Sequence, residues 1–472
     1  MRHVTLIPHR LSYGPVGSAA NDQARLAFVD ITAPEFRNGS YEVCHYHRSS
    51  YGGCFGPLAV DQTLWFCHEL HVRLQKEGPP VAVEYEPEGR QNVAVVVGAY
   101  AVLVLGWSAK EVCGALPEDA GLTLPCSWID PADLRSNHGD PRMTVQDCWE
   151  GVEIARDLGW LRKGMVVDGV MASLVASKFW KTTCEYDGAW LVPGAIFVMA
   201  DPVTTIADPN PKTCPSFCRV ESDADSPSTP LDLEGLRRSS EHTPTPLQSC
   251  LEARASTATG TRDSGNFEDG DLIATPNSRA SVHTVCKVYG SGNKSSMGCD
   301  LWPRARPFVD FVLDEGIKTV LRVNLSSEPG LVEIGGSYDA GLLAEFGIQH
   351  ADVPVSDSKS TLKGGVPPSS AIRRFLSLSR QTAPEDGGAV LVHCKGGFGR
   401  SVFLACLLVI YRCDVSGRGL LGWARIARPG AITTPEQEAV LRSLSGRADL
   451  CRKFGVPRVG LGVEPRGCCA VS

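Results

Sequence analysis

Apolar residues recur at regular spacing in two long stretches of the chain, about 28–202 and 301–450, and lose that order between them. In the second stretch, short β-branched runs at Thr319–Leu325, His350–Val355 and Ala389–His393 predict strands. Helical spacing predicts helices over Phe308–Glu315, Ser370–Ser379 and Ser401–Arg412. This alternation implies a mainly parallel sheet with helices on its faces. The first stretch contains the longest apolar run, Val93–Trp107, VAVVVGAYAVLVLGW. It falls short of the ~20 residues that cross a bilayer, so it predicts a buried helix. Seven of the nine tryptophans (Trp65, Trp107, Trp128, Trp149, Trp160, Trp180 and Trp190) also lie in the first stretch. Large aromatics need a core to bury them, so this stretch is expected to be a folded domain in its own right.

Residues 203–300 are rich in Ser, Thr, Pro, Asp and Gly, with acidic patches such as ESDAD and FEDGD, and show no sustained apolar period. A segment of this kind buries too little surface to offset its chain entropy, and a disordered insertion is expected. The resulting division is an N-terminal tail (1–27), a first domain (28–202), the insertion (203–300), a second domain (301–450) and a C-terminal tail (451–472). Ser226, Thr229, Thr243, Thr245 and Thr275 each precede a proline in the insertion. They fit a proline-directed kinase, although composition alone also produces such pairs.

Composition narrows the class. The 472 residues are 43% hydrophobic and 21% charged, as in ordinary globular proteins. Forty-six basic against 53 acidic side chains leave a net charge of −7, which gives no bulk drive toward nucleic acid or an anionic membrane. The N-terminus lacks the layout of a secretory signal, so the 18 cysteines are expected as thiols inside the cell, in cytoplasm or nucleus. Cys214 and Cys218 have metal-like spacing but no second pair at a matching offset, and no metal or cofactor is expected.

The chemistry concentrates in VLVHCKGGFGRS, Val390–Ser401. Cysteine and arginine six positions apart occur three times: Cys67 with Arg73, Cys394 with Arg400, and Cys406 with Arg412. The first and third run through helical patterns. Only the middle pair follows a buried strand, encloses glycines and precedes a helix. Gly396, Gly397 and Gly399 let backbone N–H groups turn toward an anion, and Lys395 and Phe398 complete the loop. The helix N-terminus adds its positive end, and Arg400 can hold two phosphoryl oxygens at once. The same field favours the nucleophilic thiolate of Cys394. An anion cradle beside an activated thiol points to phosphoryl transfer through a cysteinyl-phosphate. A general acid must protonate the leaving oxygen. Asp352 and Asp357 both lie ahead of the nucleophile's strand, and Asp357, deeper in the polar loop, is the candidate. Ser401 can stabilise the thiolate as it leaves, and His393 can orient the loop from beneath.

At these residues the chain resembles the dual-specificity protein phosphatases of the cell-division-cycle-fourteen type, which carry HCKAGLGRT where this chain has HCKGGFGRS. WARIARPG (Trp423–Gly430) is similar to a segment of that family. TPEQ (Thr434–Gln437) resembles the family loop whose Gln places the hydrolytic water, which falls on Gln437. Matching His350 puts the family's general acid on Asp357. CFGPLAVDQTLWFC, VVVGAYAVLVLG and WLVPGAIFVMA resemble the family's N-terminal domain in the same order. The resemblance implies two tandem phosphatase-like α/β domains, each with a mainly parallel central sheet flanked by helices, the first without catalysis. In that first domain Glu84 stands where a nucleophile would. The implied substrates are phosphoproteins in cell-cycle, cilium or cytoskeletal regulation, bound in the groove between the domains.

The chain departs from the pattern at Val402 and Phe403, where the family has small or polar residues. It also has Lys178 and Lys181 where the family has acids that favour a basic residue after phosphoserine–proline. A phosphopeptide-binding pseudophosphatase, prompted by Val402 and Phe403, is one alternative. A phosphoinositide phosphatase, prompted by Lys395, is another. The last residues, Cys469-Ala470-Val471-Ser472, fit a prenylation box, with Cys468 as an acylation candidate. Lipidation there implies peripheral membrane association.

Overall fold

The structure, a computed structural model, describes residues 4–16, 24–27, 57–85, 90–124, 142–202, 308–329, 331, 336–356, 365–381 and 388–457. The expected insertion, Cys214 and Cys218, the acid candidate Asp357 and the C-terminal Cys468 and Cys469 lie outside the described residues.

The first half begins with β1 (Val4–Ile7), β2 (Leu11–Pro15) and β3 (Ala24–Ala27), followed by α1 (Val60–Gln75), β4 (Val81–Tyr85) and α2 (Arg90–Tyr100). The strands form one sheet in the order β1-β2-β4-β3, parallel except for the β1–β2 edge pair. Residues 4–15 and 24–27 therefore belong to a sheet, where an N-terminal tail was expected. The apolar run is helical, as its length implied. α2 passes into a wider π-turn over Ala101–Leu105 and stops at Gly106, which takes the left-handed φ of 78°. Every residue from Val93 to Val104 is buried. Among the described residues, no helix is long and apolar enough to cross a membrane.

α3 (Val145–Asp157) and α4 (Gly169–Tyr186) complete the helices of this half, and the chain then turns into β5 (Gly188–Val192) and β6 (Ile196–Met199). The second half supplies β7 (Ile317–Arg322), β8 (Gln349–Asp352), α5 (Ser369–Gln381), β9 (Ala389–His393), α6 (Arg400–Cys413), α7 (Gly417–Ala427), α8 (Pro435–Arg442) and α9 (Arg447–Phe454). The second sheet runs β5-β6-β9-β7-β8, parallel throughout except for the β5–β6 hairpin. That hairpin lies within the expected first domain but pairs with β9, so the division expected at 202 moves to the N-terminal side of Gly188. Hydrogen bonding to β9, made far along the sequence, decides which sheet these residues join.

The two halves share one hydrophobic core. α3 and α7 cross with their backbones almost touching: a Cβ on Gly151 would stand 2.4 Å from the Trp423 nitrogen, and one on Gly422 2.2 Å from the Asp147 carbonyl oxygen. Trp149 is fully buried, its indole N–H donating to Ala94 O at 3.0 Å. Asp147, also fully buried, accepts from Arg418 of α7 at 2.9 and 3.0 Å and from Arg442 of α8. Glu438 of α8 binds Arg425 at 2.9 Å and accepts from the Met143 backbone N–H. Truncating one partner of a buried ion pair leaves an uncompensated charge, so these clasps hold α8 to the first half.

Candidate active site

The candidate site forms where β9 ends and α6 begins. Central strands buried on both faces are near-continuous apolar runs, and Ala389–His393 is buried at all five positions. The next residue is Cys394, 3% exposed, with its Sγ 3.2 Å from Ser401 Oγ. Arg400 is the first residue of α6 and Ser401 the second. The thiol is thus held at a helix N-terminus, where the dipole favours negative charge.

Two glycines fit the loop for different reasons. Gly397 has φ 69°, and a Cβ there would lie 2.3 Å from the Ala200 nitrogen, so both backbone conformation and space exclude a side chain. A Cβ on Gly399 would meet Thr433 Oγ1 at 2.5 Å. Gly396, by contrast, has open space where its side chain would be. The loop is also pinned through its carbonyls: Lys395 O accepts from Asp201 N at 3.0 Å, and Phe398 O from Ile432 N at 2.8 Å. Lys395 Nζ turns away to donate to Pro329 O.

Arg400 is 7% exposed and makes a paired interaction with Glu328, one limb at 3.0 Å, while also donating to Val355 O at 2.7 Å. A buried guanidinium needs a carboxylate or an oxyanion beside it, and Glu328 supplies the former. Arg428, 1% exposed, lies with its guanidinium carbon 4.0 Å from the centre of the Phe398 ring. It donates to Gly397 O at 3.3 Å and to Asp187 at 2.7 and 2.8 Å. Glu328 gives no sequence signal, being one acid in a Ser-Pro-Gly turn. Arg428 lies in the WARIARPG segment, yet the contact it makes is not written in that motif.

Beneath the loop, His393 is fully buried, and burial foremost pulls its pKa down to about 4. Its Nε2 is 2.7 Å from Tyr338 Oη. Asp352 is engaged elsewhere: Arg322 grips both its oxygens, at 2.6 and 3.2 Å. Burial would raise the Asp352 carboxyl, but the hydrogen bonds and charge of Arg322 outweigh that and hold it below its ordinary value. An acid kept ionised is a poor proton donor.

Gln437, 1% exposed, sits in the first turn of α8. Its amide lies 3.6 Å from the Cβ position of Gly399 and donates to Gly365 O at 2.7 Å. Gln437 is therefore beside the loop, where the described chain resumes after the Asp357 segment. Val402 and Phe403 are both fully buried in the common core, so their bulk is spent on packing. The other two Cys–Arg pairs fall inside α1 and α6, and burial pushes the Cys67 and Cys406 thiols well up, as inert core thiols require. Lys178 pairs with Glu315 at 2.8 Å and lies over the Trp190 ring. Among the described residues, no group of three His, Cys, Asp or Glu could hold a metal ion.

Comparison with known proteins follows the same division. Residues 6–155 match the family described as dual specificity protein phosphatase, N-terminal half. Residues 309–441 match the DSP-PTPase phosphatase domain of the Swiss Army Knife proteins. The tyrosine-protein phosphatase cdcA of Emericella nidulans is 22% identical over 398 residues, covering 82% of this chain and 50% of its own. The tyrosine-protein phosphatase CDC14 homolog of Schizosaccharomyces pombe is 28% identical over 27% of this chain and 21% of its own. Human dual specificity protein phosphatase CDC14A is 33% identical over 21% of this chain and 15% of its own. The chain thus spans half or less of the length of these relatives.

Proposed function

The chain belongs to the CDC14-type dual-specificity phosphatases, and on that premise we propose that it hydrolyses phosphoserine, phosphothreonine and phosphotyrosine in proteins through a cysteinyl-phosphate. Cys394 Sγ attacks phosphorus; the S–P bond forms as the ester P–O bond breaks, and Asp357 gives its proton to the leaving oxygen. Arg400 and the loop hold the phosphoryl oxygens. A water beside Gln437 then loses a proton to Asp357 and attacks phosphorus, the S–P bond breaks, and inorganic phosphate departs. Ser401 donates to the sulfur as it becomes thiolate again. No metal takes part. Cell-cycle or cytoskeletal phosphoproteins, phosphorylated before proline, are the substrates this reading favours.

The observation that carries the proposal is the 3.2 Å approach of Ser401 Oγ to a buried Cys394 Sγ, with Arg400 opening the same helix. A panel of phosphoserine–proline, phosphothreonine–proline and phosphotyrosine peptides tests it with the wild type, Cys394→Ser and Asp357→Ala. Hydrolysis by the wild type, none by Cys394→Ser, and a loss of kcat in Asp357→Ala that is steepest for the poorest leaving groups are expected. Binding of all three peptides without phosphate release by the wild type overturns the proposal.

A further inference from the structure

A cavity of about 260 Å³ lies against α4. Its walls are Trp160 and Met165 from the segment before that helix, Leu174 and Phe179 of α4, Pro193 of the β5–β6 turn and Trp423 of α7. None of its lining residues belongs to the Cys394–Arg400 loop. A cavity of about 150 Å³ already holds a benzene ring, so this one takes a larger apolar body. Leu174 is 56% exposed at its edge, and Val170, one turn earlier on α4, is 69% exposed. Residues four apart on a helix are neighbours, so the apolar surface continues from the cavity along α4.

The polar groups of this wall are donors. Three tryptophans line it, and one is satisfied: Trp423 Nε1–H donates to Leu191 O at 2.7 Å. The indole nitrogens of Trp160 and Trp190 are equally buried, yet neither has an acceptor among the described residues. Buried indole N–H groups ordinarily find one, because an unmade donor keeps the whole cost of its desolvation. Lys178 stands in the same wall, its Nζ 5.5 Å from the centre of the Trp190 ring. Glu315 takes one of its three ammonium hydrogens at 2.8 Å and leaves two. Thr182 spends its hydroxyl hydrogen on Phe179 O at 3.0 Å. Among the described residues of the wall, no carboxylate or amide side chain is present to accept. An occupant that completes the wall therefore brings acceptors on an apolar body. Arg162, Lys163 and Lys181, exposed on the same segments, add positive charge and favour an anionic acceptor over a neutral one. A carboxylate meets both conditions, with no hydrogen to place and two oxygens that accept from several donors at once.

We propose that this cavity is a second binding site, for a small apolar carboxylate such as a fatty acid of medium chain length. Its oxygens accept from the indoles of Trp160 and Trp190 and from Lys178, and its hydrocarbon packs against Met165, Leu174, Val175 and Phe179. A chain longer than the cavity continues over Val170. The site goes beyond the phosphatase reading and stands whether or not Cys394 is a nucleophile.

The test is calorimetric titration of the full chain with decanoate, below the concentration at which it forms micelles, with tryptophan fluorescence followed in parallel. Saturable binding of one decanoate per chain is expected, with a matching change in the tryptophan emission. Decylamine carries the same hydrocarbon with a donor at its end and is expected to bind about tenfold more weakly or worse. Trp190→Phe keeps an aromatic ring but removes the N–H, and should weaken decanoate by about tenfold, the effect of one hydrogen bond to a charged group. Leu174→Glu sets a like charge at the edge of the cavity and should abolish saturation. Leu174 is exposed, so this variant is expected to melt as the wild type does and to decide the matter even where Trp190→Phe does not fold. A wild type without saturable binding overturns the proposal, as does unchanged decanoate affinity in folded Leu174→Glu. Decylamine bound as tightly as decanoate overturns it too, since the wall then selects no acceptor.

Discussion

Two strand-to-helix junctions stand at corresponding places in the two halves of this protein. One runs from Glu84 in β4 to Arg90 at the start of α2, the other from Cys394 after β9 to Arg400 at the start of α6. The spacing from the leading residue to the arginine is the same in both. Each arginine is neutralised by an acid of its own half: Arg90 by Asp119 at 2.6 Å, Arg400 by Glu328. Glu84 is 3% exposed and Cys394 likewise. What differs is the leading side chain: an acid stands at position 84 and a thiol at position 394, and on the proposed reading only the thiol serves as a nucleophile. Strand, spacing and the arginine–acid pair recur in both halves, so that pair belongs to the scaffold rather than to one site.

The sharpest way to break this comparison is to exchange the leading residues. Cys394→Ser should lower kcat/KM by roughly a thousandfold or more, while Glu84→Ala leaves it unchanged and Glu84→Cys creates no second active site. Hydrolysis surviving Cys394→Ser but lost in Glu84→Ala would reverse the assignment of the two halves.

The arginine partners give the next largest effect. Glu328→Gln should cost about 3–5 kcal/mol in denaturant unfolding, because the buried Arg400 loses its counter-charge, and Asp119→Asn less, because Arg90 is half-buried and keeps Glu118 at 3.7 Å. Only Glu328→Gln should also impair hydrolysis, and only its stability should recover when tungstate is added, since an oxyanion can then occupy the place of the carboxylate. Recovery of Asp119→Asn by tungstate would show that the first half still binds oxyanions.

A smaller effect separates the halves by pH. Asp61 of α1 is buried, with its Oδ1 unpaired, and burial raises its pKa from 3.8 to about 7. The folded protein keeps that proton where the unfolded chain has lost it, so the group's stabilisation is complete below pH 3.8 and disappears as pH rises to 7. His393 does the opposite. Its pKa falls from 6.5 to about 4, so its contribution is complete above pH 6.5 and is lost as pH falls to 4. The two slopes oppose each other between pH 4 and 6.5. Asp61→Asn should uncover a loss of about 3 kcal/mol on acidification from pH 6.5 to 4, and His393→Gln a similar loss on raising pH from 4 to 7. Melting temperatures across that range check both, and an Asp61→Asn profile that runs parallel to that of the wild type would refute the opposition.

Local pattern carried the second junction almost completely. AVLVH is β9 residue for residue, and the helix expected from Ser401 begins one residue earlier, at Arg400. Periodicity reports what a segment buries, and these segments are buried on all sides. It does not report what a segment pairs with. WLVPGAIFVMA was expected to close the first domain but forms a hairpin on β9, and the chain's first strands were expected to be a tail. The supporting residues of the site show the same limit. Glu328, Tyr338 and Asp201 come from three separate segments, each unremarkable in its own neighbourhood, and become legible only when the sheet brings them under one loop. Gln437 was reachable because a short motif carries it, but the motif does not say that its amide would tie down Gly365.

The hairpin has a consequence for how the polypeptide is made. During synthesis β5 and β6 leave the ribosome long before β9, and until β9 arrives the inner edge of β6 has no neighbour in its sheet. An uncapped edge is a template for pairing with other chains. Transcripts or proteolytic products that end soon after Met199 would therefore be expected to aggregate even though the first half is complete, whereas a backbone cut made after folding would leave two pieces still held by β6 and β9.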